Sequence, residues 1–213
     1  MRSSILIPAL AAAVLYCGMT GAVAQPAHTT KYVFYTISGD SPSKVYDAMI
    51  KRGPHVNGAK AYASTAATSS QQGRLTQGKS CEIRDYRLRI DFVIRLPKIN
   101  NPKALTGAAG SRWQQFSQFL KKHEDTHRSI WLKCAAQLEK DVQAIRASDC
   151  SVADSKATKL WAQMRQSCAR RHDAFDAAEQ KKVLKHPFVK MVMNQQGKHV
   201  AAAGLAVKKK RKK

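Results

Sequence analysis

Apolar side chains recur every three or four residues from Trp113 through Phe116, Leu120, Ile130, Cys134, Leu138 and Val142 to Ile145. His123 and His127 stand in the same stripe. A period of this kind, sustained for about nine turns, describes one long amphipathic helix with a single inward face. Ser111 is the expected N-cap, after a Pro/Gly/Ala-rich linker from Asn100 to Gly110. Inside the stripe lies Lys122-His123-Glu124-Asp125-Thr126-His127-Arg128, which contains H-E-x-x-H. Residues four apart on a helix lie on one face. Two imidazoles so placed can grip one zinc ion, with the intervening glutamate acting on water at the metal.

A second helical stripe runs through Trp161, Met164, Cys168, His172, Phe175 and Glu179, within a helix expected from Val152 to about Val183. The short turn at Ser148–Ser151 makes the two helices an antiparallel hairpin. Both rise equally per residue, so facing positions keep a constant index sum. If Cys134 faces Cys168, the turn centres on Ser151, His127 is level with Phe175, and His123 is level with Glu179. Glu179 is therefore the expected third metal ligand. Asp176 is the reserve, and His172 lies about a turn away. Asp125 is adjacent in sequence but points off the metal face, and is expected to be solvent-exposed.

Ahead of the hairpin the pattern changes to strands. Tyr32–Ser38 (YVFYTIS) is rich in aromatic and β-branched residues. Ser41-Pro42 caps a short helix to about Lys51, stopped by Gly53-Pro54. Tyr62–Ser69 is a weak strand, and Gln71–Lys79 a polar loop or hairpin tip. The clearest strand is Cys81–Leu96, where Leu88, Ile90, Phe92, Ile94 and Leu96 share one face, and Pro97 is expected to end it. The fold class is α+β: a small twisted antiparallel sheet packed on a long two-helix hairpin.

The N-terminus sets the compartment. Arg2 precedes an apolar run from Ile5 to Tyr16 and the small-x-small pattern Ala22-Val23-Ala24. This is a signal peptide, residues 1–24, and it is too short for a good membrane span. A single domain from 25 to 190 and a basic tail from 191 to 213 follow. The remaining cysteines are Cys81, Cys134, Cys150 and Cys168; three pairings into two disulfides are open, and export favours their oxidation. The hairpin assumes Cys134–Cys168 and leaves Cys81 with Cys150. No further stretch could span a bilayer, so a secreted or periplasmic protein is expected.

The formal charge is +23, with a terminal run Lys208–Lys213. Such a field draws anionic envelope surfaces or acidic substrates. Aromatics are not interleaved with the basic residues, which argues against nucleic acid. A zinc-dependent hydrolase acting on protein or peptide is the leading reading. A catalytically silent, cationic envelope-binding protein is the alternative.

The chain also resembles a family of bacterial domains of unknown function described as secreted zinc-dependent proteases, from about Tyr32 to Val189. The resemblance is carried by Ser38-Gly39, Arg52-Gly53-Pro54, Cys81-Glu82-Ile83 with Leu96-Pro97, Trp113…Leu120-x-x-His123-Glu124-x-x-His127, and Cys150. It implies a zincin-like metallopeptidase binding Zn2+ through His123 and His127, with Glu124 as general base. The family pattern Y-D-x-x-T-x-H-G corresponds here to Phe175–Lys182, where Lys181 takes the histidine position. A carboxylate must then substitute for that histidine, or the site binds metal poorly.

Overall fold

The computed structural model describes residues 26–196. The expected signal peptide and residues 197–213 of the expected basic tail lie outside the described residues. Strand β1 (Ala27–Ile37) leads to helix α1 (Pro42–Arg52), then to the short pair β2 (His55–Val56) and β3 (Ala59–Lys60). Strands β4 (Ser64–Gln77) and β5 (Cys81–Ile99) form a hairpin. Helix α2 (Gly107–Gln143), the two-residue strand β6 (Arg146–Ala147), helix α3 (Cys150–Lys185) and helix α4 (Pro187–Gln196) complete the chain.

The main sheet has the order β1-β5-β4, with β6 paired to the start of β5. It is mixed, not antiparallel as expected: β1 runs parallel to β5 from Ala27↔Arg89 to Ile37↔Ile99. The whole α1–β4 segment separates these strands, so no tight turn forces them antiparallel. β5 is the central strand, and its alternation holds: Leu88, Ile90, Phe92, Ile94 and Leu96 are buried against α2, while Arg89, Val93 and Arg95 face out.

Pro97 does not end β5, which continues to Ile99. A proline removes a ladder donor and is tolerated only where that edge is unpaired. The β4 partner stops at Ser64↔Arg95, so beyond Arg95 the β4 side of β5 has no strand to donate to. β4 extends through the expected loop to Gln77. Its Ser, Gln and Gly content reflects an edge strand exposed along most of its length rather than a break in pairing.

Helix α1 starts as expected, with the Ser41 side chain accepting from Lys44 N at 3.4 Å. Helix α2 starts four residues before Ser111, with Thr106 at the N-cap position. After α3, Pro187 opens a fourth helix that the sequence does not lead one to expect. Phe188, Val189 and Val192 of α4 are fully buried, two residues past the expected domain end at 190 in the case of Val192. Among the described residues, no helix is long and apolar enough to cross a membrane.

Two disulfides join the layers, Cys81–Cys150 and Cys134–Cys168. Two apolar clusters share the sheet. One joins Ile94 and Leu96 to Trp113, Phe116, Leu120 and Phe188. The other joins Leu88, Ile90 and Phe92 to Cys134, Leu138, Val142 and Cys168. On α2 the first ends at Leu120 and the second resumes near Ile130. The histidine motif occupies the interval between them.

Candidate metal centre

His123 and Glu124 are buried on α2, and His127 is partly so. The imidazole Nε2 atoms of His123 and His127 lie 3.0 Å apart. Helix α3 brings Asp176 to the same point: its Oδ1 is 2.9 Å from His127 Nε2 and 3.3 Å from His123 Nε2. Among the described residues these three form the group of potential ligands whose donor atoms all lie within 4.8 Å of one another.

The donor set fits zinc. A tetrahedral ion with bonds of about 2.0–2.1 Å keeps its ligands about 3.3 Å apart, close to all three distances. Asp176 Oδ1 is buried and, although two imidazole nitrogens lie against it, makes no well-aligned hydrogen bond. A buried carboxylate oxygen left without a donor costs free energy, and a cation shared with the two imidazoles would satisfy it. Burial raises the Asp176 pKa, but in the metal-free site the N–H donors and charge of protonated His123 and His127 outweigh burial and bring it down to about 2. The carboxylate is therefore ionised over the whole neutral range.

The expected ligand Glu179 is not in this group. It is buried on α3, but its Oε1 accepts from Lys182 Nζ at 2.5 Å. Phe175 fills the level assigned to it: its ring stacks on His123 at 4.7 Å between centroids and meets His127 edge-on at 5.2 Å.

His172 supports the site from outside the ligand set. Its Nδ1 lies 2.8 Å from His127 Nδ1. Burial, with His127 nearby, lowers its pKa to about 4, so His172 is neutral at pH 7. One proton is shared between the two Nδ1 atoms; with it on His127, His172 accepts and the His127 Nε2 lone pair is left free for a metal. Such partners orient ligating imidazoles. We expect His172→Phe to weaken zinc binding by about 10–100-fold, measured by competition with a chelator.

Glu124 and its neighbour Asp125 take opposite roles. Glu124 Oε2 accepts from the Thr65 hydroxyl at 2.7 Å, and the same hydroxyl reaches Glu124 O at 3.1 Å. Burial raises the Glu124 carboxyl to about 7 despite the Thr65 bond. Thr65 went unnoticed in the sequence, where a weak strand of small residues carries no local signal for it. Asp125 does point away from the metal group but is not simply solvent-exposed. It accepts from Tyr32 Oη at 2.6 Å and Lys121 Nζ at 2.7 Å, fastening β1 to α2.

A cleft of about 150 Å³ opens onto these groups, lined by His123, Glu124, His127, Asp176, Trp131 and the start of β4.

A family profile described as a bacterial protein of unknown function (DUF922) matches residues 32–183. No curated protein and no solved structure matches the chain.

Proposed function

The chain belongs to the DUF922 family of bacterial proteins of unknown function, and from its own site we propose that it is a zinc-dependent peptidase acting outside the cytoplasm. The observation that carries this reading is the convergence of His123 Nε2, His127 Nε2 and Asp176 Oδ1 within 3.3 Å, with Glu124 lining the same cleft. His123, His127 and Asp176 would hold the ion, and His172, its Nδ1 2.8 Å from His127 Nδ1, would orient the His127 ring. Zinc, when bound, supplies a Lewis acid that acidifies water and polarises a carbonyl.

Glu124 is the general base. It takes the proton of the attacking water and returns it to the leaving amine. Thr65 holds Oε2, which fixes the carboxylate with its other oxygen available. Strand β4 runs beside the site as a sheet edge, and its unpaired backbone groups can align an extended peptide across the cleft. The two disulfides fit an oxidising compartment, secreted or periplasmic.

The test is zinc content together with Glu124→Gln. The purified protein is expected to hold one zinc per chain by elemental analysis. Glu124→Gln is expected to keep the zinc and to lose about 10²–10⁴-fold in kcat on a peptide substrate. A protein that takes up no zinc at micromolar free metal would sink the proposal. Bound zinc without hydrolysis in the unaltered chain would favour the silent, cationic envelope-binding protein instead.

A further inference from the structure

A second cavity, larger than the first, lies farther along the same two elements. It measures about 370 Å³, against about 150 Å³ at the metal group. The first is walled by Ser64 and Thr65 of β4 and by His172, Asp173 and Asp176 of α3. The second is walled by Gln71, Gln72, Gly73 and Leu75 of β4 and by Asp154, Ala157, Thr158 and Trp161 of α3, with Ile83 and Tyr86 beneath. Both cavities therefore open between one sheet edge and one helix.

The second cavity has a local cause. The β4–β5 register shifts between Gln72 and Arg74: two steps on β4 face three on β5, so the bulge lies in β5 at Asp85–Tyr86, opposite Gly73, and Asp85 takes a left-handed φ of 54°. A bulge bends the strand that carries it and re-aims the side chains that follow. A Cβ at Gly73 would lie 3.1 Å from Ile83 Cγ2 and 3.2 Å from Tyr86 Cδ2, so glycine permits the close approach. Across from the bulged strand, next to Gly73 on β4, Leu75 is 46% exposed, an apolar side chain left on a polar strand. The cavity thus has an apolar base of Leu75, Ile83, Tyr86 and Trp161 under a rim of amide, hydroxyl and carboxylate groups.

The spacing suits one chain bridging both. Thr65 to Gly73 spans about 26 Å at ~3.3 Å per strand residue. Trp161 to His172 spans about 16 Å at ~1.5 Å per helix residue. Between the cavities, β4 pairs with β5 alone and its other edge is unpaired among the described residues. A strand edge of this kind accepts an extended backbone, while pockets at intervals read its side chains.

We propose that the β4–α3 cleft binds an extended segment of unfolded polypeptide, and that the Leu75–Trp161 cavity takes an apolar side chain about five to eight residues from the bond at the metal group. The substrate class is then a long, unfolded chain and not a short peptide. The identity of the bound chain as substrate rests on the peptidase reading; its binding does not.

The experiment uses the full chain carrying Glu124→Gln, loaded with zinc, and fluorescently labelled reduced, carboxymethylated α-lactalbumin as probe. Anisotropy is expected to show this unfolded protein binding at least about tenfold tighter than labelled pentapeptides cut from it, which are too short to bridge the cavities. Trp161→Ala and Thr158→Arg are each expected to abolish that gap. Thr158 is exposed, so its substitution fills the cavity without disturbing the core. No gap between the long and short probes, or a gap that survives both substitutions, overturns the proposal. A gap removed by both, in a protein whose Glu124 form hydrolyses nothing, keeps the groove and rejects the peptidase. Hydrolysis by the Glu124 form with no such gap does the reverse.

Discussion

Asp176→Ala is expected to lower zinc affinity by at least about a hundredfold, while Glu179→Gln leaves it within about twofold. Loss of an outer partner of a ligating histidine already costs about 10–100-fold, so loss of the sole carboxylate ligand sets the larger end as a minimum. The two residues lie three positions apart on α3 and are both buried, yet they face different neighbours. Asp176 Oδ1 sits against both imidazoles, and Glu179 Oε1 sits on Lys182 Nζ. Titration against a calibrated chelator reads both variants. Equal losses in the two, or a loss confined to Glu179→Gln, would place the third ligand elsewhere than Asp176. Far-UV circular dichroism on the same samples separates metal loss from unfolding.

Replacing both Cys134 and Cys168 by Ala is expected to lower the unfolding free energy by about 4 kcal/mol, from the entropy of a loop closed across 34 residues. Zinc affinity should fall with it. The bridge joins the two helices seven residues after His127 on α2 and eight before Asp176 on α3, and Cys168 Sγ lies 3.8 Å from His172 Nε2. It therefore holds the helix that carries Asp176 against the helix that carries the histidines. Removing Cys81 and Cys150 should cost a similar amount, about 4 kcal/mol for a separation of 69 residues. That bridge ties the start of β5 to the start of α3, beside β6 and away from the metal group, so zinc affinity should stay within a few-fold. Guanidinium unfolding of the zinc-free proteins gives the first quantity, and chelator competition gives the second. Zinc affinity that responds equally to both bridges would refute the separate role of Cys134–Cys168.

The elements that proved legible in the sequence were those with a strong period. The stripe from Trp113 to Ile145 made α2 plain, and the alternation from Leu88 to Leu96 made β5 plain, because each face meets a different medium along its whole length. β4 was only half read. An edge strand exposed on most of its positions has no buried face to write an alternation, and its Ser, Gln and Gly residues look like a loop. α4 is too short, at 10 residues, for a helical period to stand out, and it follows α3 directly, with Pro187 at its first position, where proline is favoured.

At the site, the residues within one element were readable and the meeting of two elements was not. The spacing of His123 and His127, and the place of Glu124 between them, follow from helix geometry alone. The rule of constant index sum located the turn of α3 that meets the histidines, and within that turn Asp176, the reserve, rather than Glu179 lies against them for a geometric reason. It matched Glu179 to the level of His123. An ion shared by both histidines sits at the level midway between them, which the same rule places at Ala177, one residue from Asp176. The short aspartate reaches that point because Phe175 stacks on His123 and brings the helices close there. The His172 contact and the Thr65 hydroxyl likewise depend on which neighbour each side chain meets across a packed interface, and no local period encodes that. The sequence by itself determined the helical stripe, the two imidazoles on one face with a carboxylate beside them, and the inward strand of the sheet. Only the tertiary structure decided which carboxylate meets the two imidazoles, the parallel pairing of β1 and the cleft beside β4. These depend on distances between segments remote in the chain, set by the packing of two apolar clusters around a polar interval.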